Sequence, residues 1–160
     1  MRARMKGHGL SQKLTPSFLT GFSNSETVKL DFDHIAFKIV KNWAFEFLKL
    51  FKLRGFIILK SSDKNYHVLY DRRVSWIENV RIMAWICLRT KHHLLTRWFI
   101  MQCIKKSSTL RVSPKGNKSS PRIVLRYGNQ DSQVREFKNS KKSIKRMLRK
   151  MSNVRAQSEI

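Results

Sequence analysis

Acidic residues are what this chain most conspicuously does without. Ten Asp and Glu stand against 34 Lys and Arg in 160 residues, a formal net charge of +24. Such an imbalance does not decide a fold. It decides partners, because polyanions bind such a surface by releasing their counterions, with or without specific recognition. Histone-like and ribosomal proteins share this charge, so DNA, RNA and acidic lipid all stay open. Cysteine is scarce as well. Cys87 and Cys103 lie far apart, without a CxxC or a Cys/His ligand cluster, and read as a reduced, buried pair. No apolar run reaches the ~18 to 20 residues of a membrane span, and the basic N-terminus lacks the continuous apolar stretch of a secretory signal. The expectation is a cytoplasmic protein with no membrane partner. Internal repeats and low-complexity segments are also missing.

What is present is enough for one ordinary domain with a core. Aromatics make up 11% of the chain and include four Trp, so it is not a disordered basic tail. Residues 1–26 carry Gly7, Gly9, Pro16 and Gly21 among several Ser and Thr, and read as an irregular basic arm, with some order near Phe18 to Phe22. Val28-Lys29-Leu30-Asp31-Phe32-Asp33 alternates, the period of a half-buried strand. Asp31 and Asp33 then share one face, about 6 to 7 Å apart along the strand. Ile35 to about Leu53 has helical spacing through Ala36, Val40, Trp43, Phe47 and Leu50, with Gly55 as the stop. The run Phe56-Ile57-Ile58-Leu59 predicts a strand buried on both faces. Ser61 to Asn65 is turn chemistry, and Tyr66 to Tyr70 closes an antiparallel hairpin.

Ser75 and Glu78 have the spacing of a capping box and open a helix through Trp76, Val80, Met83 and Cys87. Leu94 to about Ile104 continues helically after His92-His93, two adjacent residues that point to different sides and suit a solvated helix end better than a ligand pair. Ser108 to Ser113 and Arg122 to Tyr127 read as strands around a basic loop, Pro114 to Pro121. Gln133 to about Met151 reads as a basic helix with Val134, Phe137, Ile144 and Leu148 as its few apolar residues, and the last ten residues as frayed. The order predicts an α+β fold: a ferredoxin-like or RRM-like antiparallel sheet with a β-α-β-β-α-β core over residues 27–130, helices stacked on one face, and a basic C-terminal helix and tail over 131–160. The opposite face, with Asp31, Asp33 and His67, is expected to stand open for a ligand; a helix covering it would undo a function placed there.

Two constellations carry chemistry. Paired carboxylates on one strand face suit Mg²⁺ or Mn²⁺ shared with substrate phosphates, although two solvated residues paired with Lys or Arg would look the same in sequence. Asp is a poor strand former, so two of them here, in a chain nearly stripped of acids, favour a site. The segment Ser61-Ser62-Asp63-Lys64-Asn65-Tyr66-His67 offers hydroxyls, backbone N–H groups and an imidazole to a phosphate, and the topology sets His67 beside the aspartates.

These segments together resemble the palm of the archaeo-eukaryotic primase superfamily, the primase-polymerases. That family's first motif is apolar-Asp-apolar-Asp at a strand end, as at Leu30 to Asp33. Its second is a serine, a glycine-rich turn, an aromatic or apolar residue and a histidine, as from Ser62 to His67. Asp63 and Asn65 stand where glycines are usual and are types that tolerate positive φ. Leu110-Arg111-Val112-Ser113-Pro114-Lys115 looks like the family's later Leu-Arg segment. The resemblance spans roughly residues 28–128. It implies a metal-dependent nucleotidyltransferase of DNA replication, with Asp31, Asp33 and His67 catalytic and the two aspartates on Mg²⁺ or Mn²⁺. Ser61, Ser62, Lys64, Arg111 and Lys115 would contact nucleotide phosphates. Lys118, Arg122, Lys141, Lys142, Lys145 and Arg146 would hold nucleic acid, DNA over RNA, alongside replication partner proteins. The departure is the family's third catalytic acid, due on a strand downstream of the histidine. Thr109 and Ser113 occupy that region, so catalysis is expected to be impaired. The alternatives are a non-enzymatic RNA- or DNA-binding protein with an RRM-like sheet, whose aromatic pattern the strands lack, and a basic structural protein of a ribonucleoprotein or virion.

Overall fold

The structure, a computed structural model, describes residues 20–115 and 118–158, with side chains as far as 151. Its order is β1 (Gly21–Asn24), β2 (Thr27–Phe32), α1 (Phe37–Leu50), β3 (Gly55–Ser62), β4 (Asn65–Arg73), α2 (Trp76–Thr90), α3 (His93–Lys105), β5 (Ser108–Arg111), β6 (Arg122–Gly128) and α4 (Gln133–Ser158). Four strands form one antiparallel sheet in the order β2-β4-β3-β6, and β1 pairs with β5 in a separate two-stranded ribbon. The α+β class with antiparallel sheets is therefore as expected.

The sheet order is not the ferredoxin-like one. That arrangement would pair β5 with the free edge of β2, whereas β5 pairs with β1 and lies alongside β2, and β6 extends the sheet beyond β3. β1 itself falls in a stretch read as irregular; residues 1–19 lie outside the described residues.

Strand alternation sorts the sheet into two cores. Val28, Leu30 and Phe32, with Phe56, Ile58, Tyr66, Val68 and Tyr70, face α1 and α2. Ile57, Leu59 and Leu69 face the other way, against Phe22 and Leu110 of the ribbon and Val134 and Phe137 of α4. The helices are thus not confined to one face, and the second face does not stand open: the ribbon and α4 roof most of it. Burial of Ile57 and Leu59 on that side removes apolar area worth ~25 cal/mol per Å², a driving force an open face would forfeit.

Several local devices fix this arrangement. Lys29 points to the second face and is fully buried. Its ammonium donates to Asn24 Oδ1 at 2.6 Å, to Ser108 O at 2.9 Å and to Ser108 Oγ at 3.2 Å, and lies 4.7 Å from the centre of the Phe22 ring. Asp71, also fully buried, accepts from the backbone N–H of Val134 at 2.8 Å and of Ser132 at 3.2 Å, so a carboxylate of β4 caps the start of α4. Ser75 caps α2 by accepting from Glu78 N at 3.2 Å, while the Glu78 carboxylate pairs with Arg72. Gly55 does not stop α1, which ends at Leu50. It opens β3, where a Cβ would meet the Asn129 backbone at 2.0 Å. α4 continues helically to Ser158, through the segment expected to fray. Cys87 and Cys103 are both free, the first buried and the second half-buried. No helix among the described residues is long and apolar enough to cross a membrane.

Asp71→Ala should leave the buried Val134 N–H and the half-buried Ser132 N–H without their acceptor and lower the unfolding free energy by about 1–3 kcal/mol. Urea unfolding checks this, and Asp71→Asn, which keeps one acceptor oxygen, should lose less.

Candidate functional site

At the end of the second face that the ribbon and α4 leave uncovered lies a cleft of about 360 Å³. It is built from β2, β3 and β4 of the sheet, β5 of the ribbon, α3 and the basic residues that follow β5. Asp31, on the last turn of the pleat in β2, is paired in register with His67 of β4, and His67 in turn with Leu59 of β3. Asp33 follows the end of β2. The loop after it is pinned to the β3–β4 turn, because Ile35 N donates to Lys64 O at 2.9 Å and His34 N to Asn65 Oδ1 at 2.9 Å. That pinning brings Asp33 to the same cleft as Ser61, Ser62 and Asn65.

The turn solves its backbone geometry differently from the expectation. Lys64, not Asp63 or Asn65, takes the left-handed conformation, at φ 53°. Asn65 is used for hydrogen bonding instead: its Nδ2 donates to Ser62 Oγ at 2.7 Å, which leaves the Ser62 hydroxyl proton to point at a ligand. Lys64 does not line the cleft, and Asp63 pairs with Lys60 at 3.6 Å.

From the ribbon, Arg111 reaches in from β5. Its guanidinium donates to the carbonyls of Ser113 at 2.5 Å and Ser119 at 3.1 Å, and through the other terminal nitrogen to Ser61 at 3.1 Å. It therefore clamps the basic loop to the end of β3 and is a fixed cation rather than a mobile one. Lys115 and Lys118, joined by a backbone bridge, line the cleft as well. Thr109 stands on the β5 wall, and Asp31 and Asp33 are the only carboxylates among the described lining residues.

Trp98, Gln102 and Lys105 of α3 complete the wall and were not anticipated. Their spacing of four and three residues puts them on one helix face, a signal that could have been read in the sequence. Gln102 is buried and joins α3 to β5 by accepting from Thr109 N at 3.0 Å. His92 is the helix cap its position suggested: its Nδ1 accepts from Leu95 N at 3.2 Å.

Of the residues expected to bind nucleic acid, Lys118 is in the cleft. Arg122, Lys141, Lys142 and Lys145 lie instead along the groove between β6 and α4, and Arg146 lines neither.

The electrostatics of the cleft centre on Asp31 and His67, with Asp31 Oδ1 3.3 Å from His67 Nε2. Burial, reinforced by Asp33 and opposed by Arg111, pushes the Asp31 carboxyl up to about 7. Burial, with Arg111 and Lys141 nearby, pushes His67 down to about 3. Both groups are thus held towards neutrality, and neither Asp31 Oδ1 nor His67 Nδ1 has a hydrogen-bond partner. Buried polar atoms left without a hydrogen bond, on two residues that line a cleft, are the kind of arrangement found at functional sites. Among the described residues no three His, Cys, Asp or Glu gather closely enough to hold a metal by themselves. The donor set suits a cation held by two carboxylates and completed by the oxygens of a bound phosphate.

No protein-family model, no curated protein and no solved structure matches the chain.

The two shifts act oppositely on stability. Between pH about 3.8 and 7 native Asp31 keeps a proton the unfolded chain has released, so its contribution declines as pH rises. Between pH about 6.5 and 3 native His67 refuses a proton the unfolded chain takes up, so its contribution declines as pH falls. In the overlap the proton counts cancel. Asp31→Asn leaves the His67 limb alone, and denaturant titrations should show the variant losing stability below pH 6.5 more steeply than the parent.

Proposed function

We propose that the cleft binds a nucleotide together with Mg²⁺ or Mn²⁺, and that the protein is a primase-polymerase-like factor of DNA replication with impaired nucleotidyl transfer. The observation that carries this reading is the convergence of Asp31, Asp33, Ser62, His67 and Arg111, drawn from three separate segments, on one cleft. In this reading Asp31 and Asp33 hold the cation jointly with the ligand's phosphates, which is how Mg²⁺ is commonly bound. The His67 imidazole, neutral above pH about 3, donates its free N–H to a phosphate oxygen. Ser62 donates its hydroxyl, and Lys115 and Lys118 offset the phosphate charge. Arg111 holds the loop in place and lends its fixed positive charge.

Impairment follows from the same lining. Nucleotidyl transfer through two metals needs ligands for both, and two carboxylates suffice for one. Thr109 brings no charge to the β5 wall. α4 and the ribbon cover most of the face expected to stand open, which counts against a template seated on it, so the proposal rests only on the nucleotide-sized cleft they leave uncovered. The RRM-like alternative loses ground for a related reason. Its sheet would stack bases on several exposed aromatics, whereas Tyr66 is buried against Phe37, and Tyr127, exposed on one side, packs on Phe45 and Phe56 on the α1 side.

Binding of a labelled nucleoside triphosphate with Mn²⁺, read by calorimetry, tests the proposal. Asp31→Ala/Asp33→Ala should weaken binding about 100-fold or more, since charge-assisted contacts of this kind are worth about 1.5–3 kcal/mol each. Because the carboxylate form of Asp31 is the ligand, affinity in the parent protein should climb as pH rises through about 7. Equal affinity in parent and double variant would overturn the reading.

A further inference from the structure

A second feature of the molecule lies apart from the cleft. β6 is the edge strand of the sheet, and α4 lies over the second face, leaving a groove with α4 on one side and β6, with Val112–Pro114 and Ser120–Pro121, on the other. The groove consists of two adjoining cavities of about 510 Å³ each, and Lys141 and Lys145 line both. From Arg135 to Leu148 it follows about 20 Å of helix. Its floor is apolar, with Ile123 and Phe137 in one stretch and Val112 and Ile144 in the other.

Its walls are cationic on both sides. β6 contributes Arg122 and Arg126, and α4 contributes Arg135, Lys138, Lys142 and Lys145. No carboxylate lines either stretch, and none of these six forms an ion pair among the described residues. Lys141 is anchored on the Pro121 carbonyl, and its ammonium is held below the usual lysine range by burial and by Lys145. Crowded like charges left unneutralised are a standing cost to the fold, which a bound polyanion would relieve.

We propose that the β6–α4 groove is a track for the phosphate backbone of single-stranded nucleic acid, gripped from both walls. The shape selects the partner. Cations on two facing walls converge on what lies between them, which suits a single phosphate backbone seated along the groove. Among the described residues no aromatic side chain is exposed along it, since Phe137 is buried, so among them no base-stacking platform accompanies the charge. The grip is therefore on phosphates, indifferent to sequence and to DNA or RNA, and strongly dependent on salt. This inference shares with the proposed function only the chemical class of partner. It makes no use of the cleft, so each can fail without the other.

The test is fluorescence anisotropy on the full chain with labelled oligothymidylate and oligouridylate of about 20 nucleotides, a length above the usual single-strand site size. Arg126→Glu/Lys138→Glu/Lys142→Glu should weaken both by about 30-fold near 0.1 M salt and reduce the slope of log affinity against log salt by about 2, at ~0.7 per lost phosphate contact. Lys38→Glu/Lys41→Glu/Lys49→Glu makes the same change in net charge at exposed positions of α1, on the far side of the sheet. It should leave the slope unaltered. Arg126→Lys/Lys138→Arg/Lys142→Arg should bind like the parent, and thermal melts establish that each variant is folded. Equal weakening by the groove and α1 reversals would overturn the proposal, leaving only diffuse charge. Tighter binding of a blunt duplex, or of phosphatidylserine vesicles, than of the single strands would overturn it too.

Discussion

One buried ammonium ties the second layer of this protein to its sheet. Lys29 belongs to β2, yet its partners are Asn24 of β1 and Ser108 of β5, the two strands of the ribbon. Burying a lysine costs free energy unless its protons are satisfied. Here several oxygens and the Phe22 ring face meet it, and burial still holds its pKa down to about 7. That anchor works beside three other polar links, Ser108 Oγ to the Thr27 carbonyl, Thr109 N to Gln102 Oε1 and Arg111 to the Ser61 carbonyl, which also hold the ribbon in place. The ribbon supplies Thr109 and Arg111 to the cleft wall, and Arg111 in turn clamps the basic loop to Ser61. The geometry of the cleft is thus inherited in part, through polar links, from a side chain that does not line it.

The cleft itself combines features seldom found together on a structural surface. A carboxyl raised and an imidazole lowered in adjacent register positions leave two buried polar atoms without partners, inside a chain whose surface is overwhelmingly cationic. Surface ion pairs elsewhere behave differently: Arg72 with Glu78, Arg73 with Glu26 and Arg89 with Glu46 are close and partly or fully solvated, as expected of pairs that contribute little. Arg111 lies near enough to Asp31 to oppose the rise of its carboxyl, yet forms no hydrogen bond with it, because the guanidinium's hydrogen bonds go to carbonyls. What distinguishes the site is this withholding of a partner, not the number of its acids.

Much of the helical core was legible in the chain. The alternation of Val28, Leu30 and Phe32, the helical spacing around Val40 and Phe47, and the turn from Ser61 to Asn65 are local signals, and the structure follows them closely. The adjacency of Asp31 and His67 was also readable, since it needs only a hairpin and one more antiparallel strand. The second layer was harder. Gly21–Asn24 is too short to show alternation, and its pairing with β5 spans more than eighty residues of chain. A lysine at position 29 reads as solvent-facing until its partners are known. One clue pointed the right way. Ile57 and Leu59 put apolar side chains on the face expected to stand open, and a strand apolar on both sides requires a cover. Val134 and Phe137, the first apolar pair of a helix otherwise rich in lysine, are that cover.

β4 carries the consequences of this architecture in its register. His67, Leu69 and Asp71 alternate along one side of it, serving in turn the cleft, the second core and the cap of α4. A slip by one residue would exchange these three for Val68 and Tyr70, sending a buried carboxylate among the aromatic rings of the helical core. A slip by two would preserve the faces and still fail, because Leu69 would meet Asp31 and the start of α4 would lose its acceptor. The strand is therefore locked by three unlike demands at once, and the imidazole beside Asp31 is held in place as much by the needs of a distant helix as by its own surroundings.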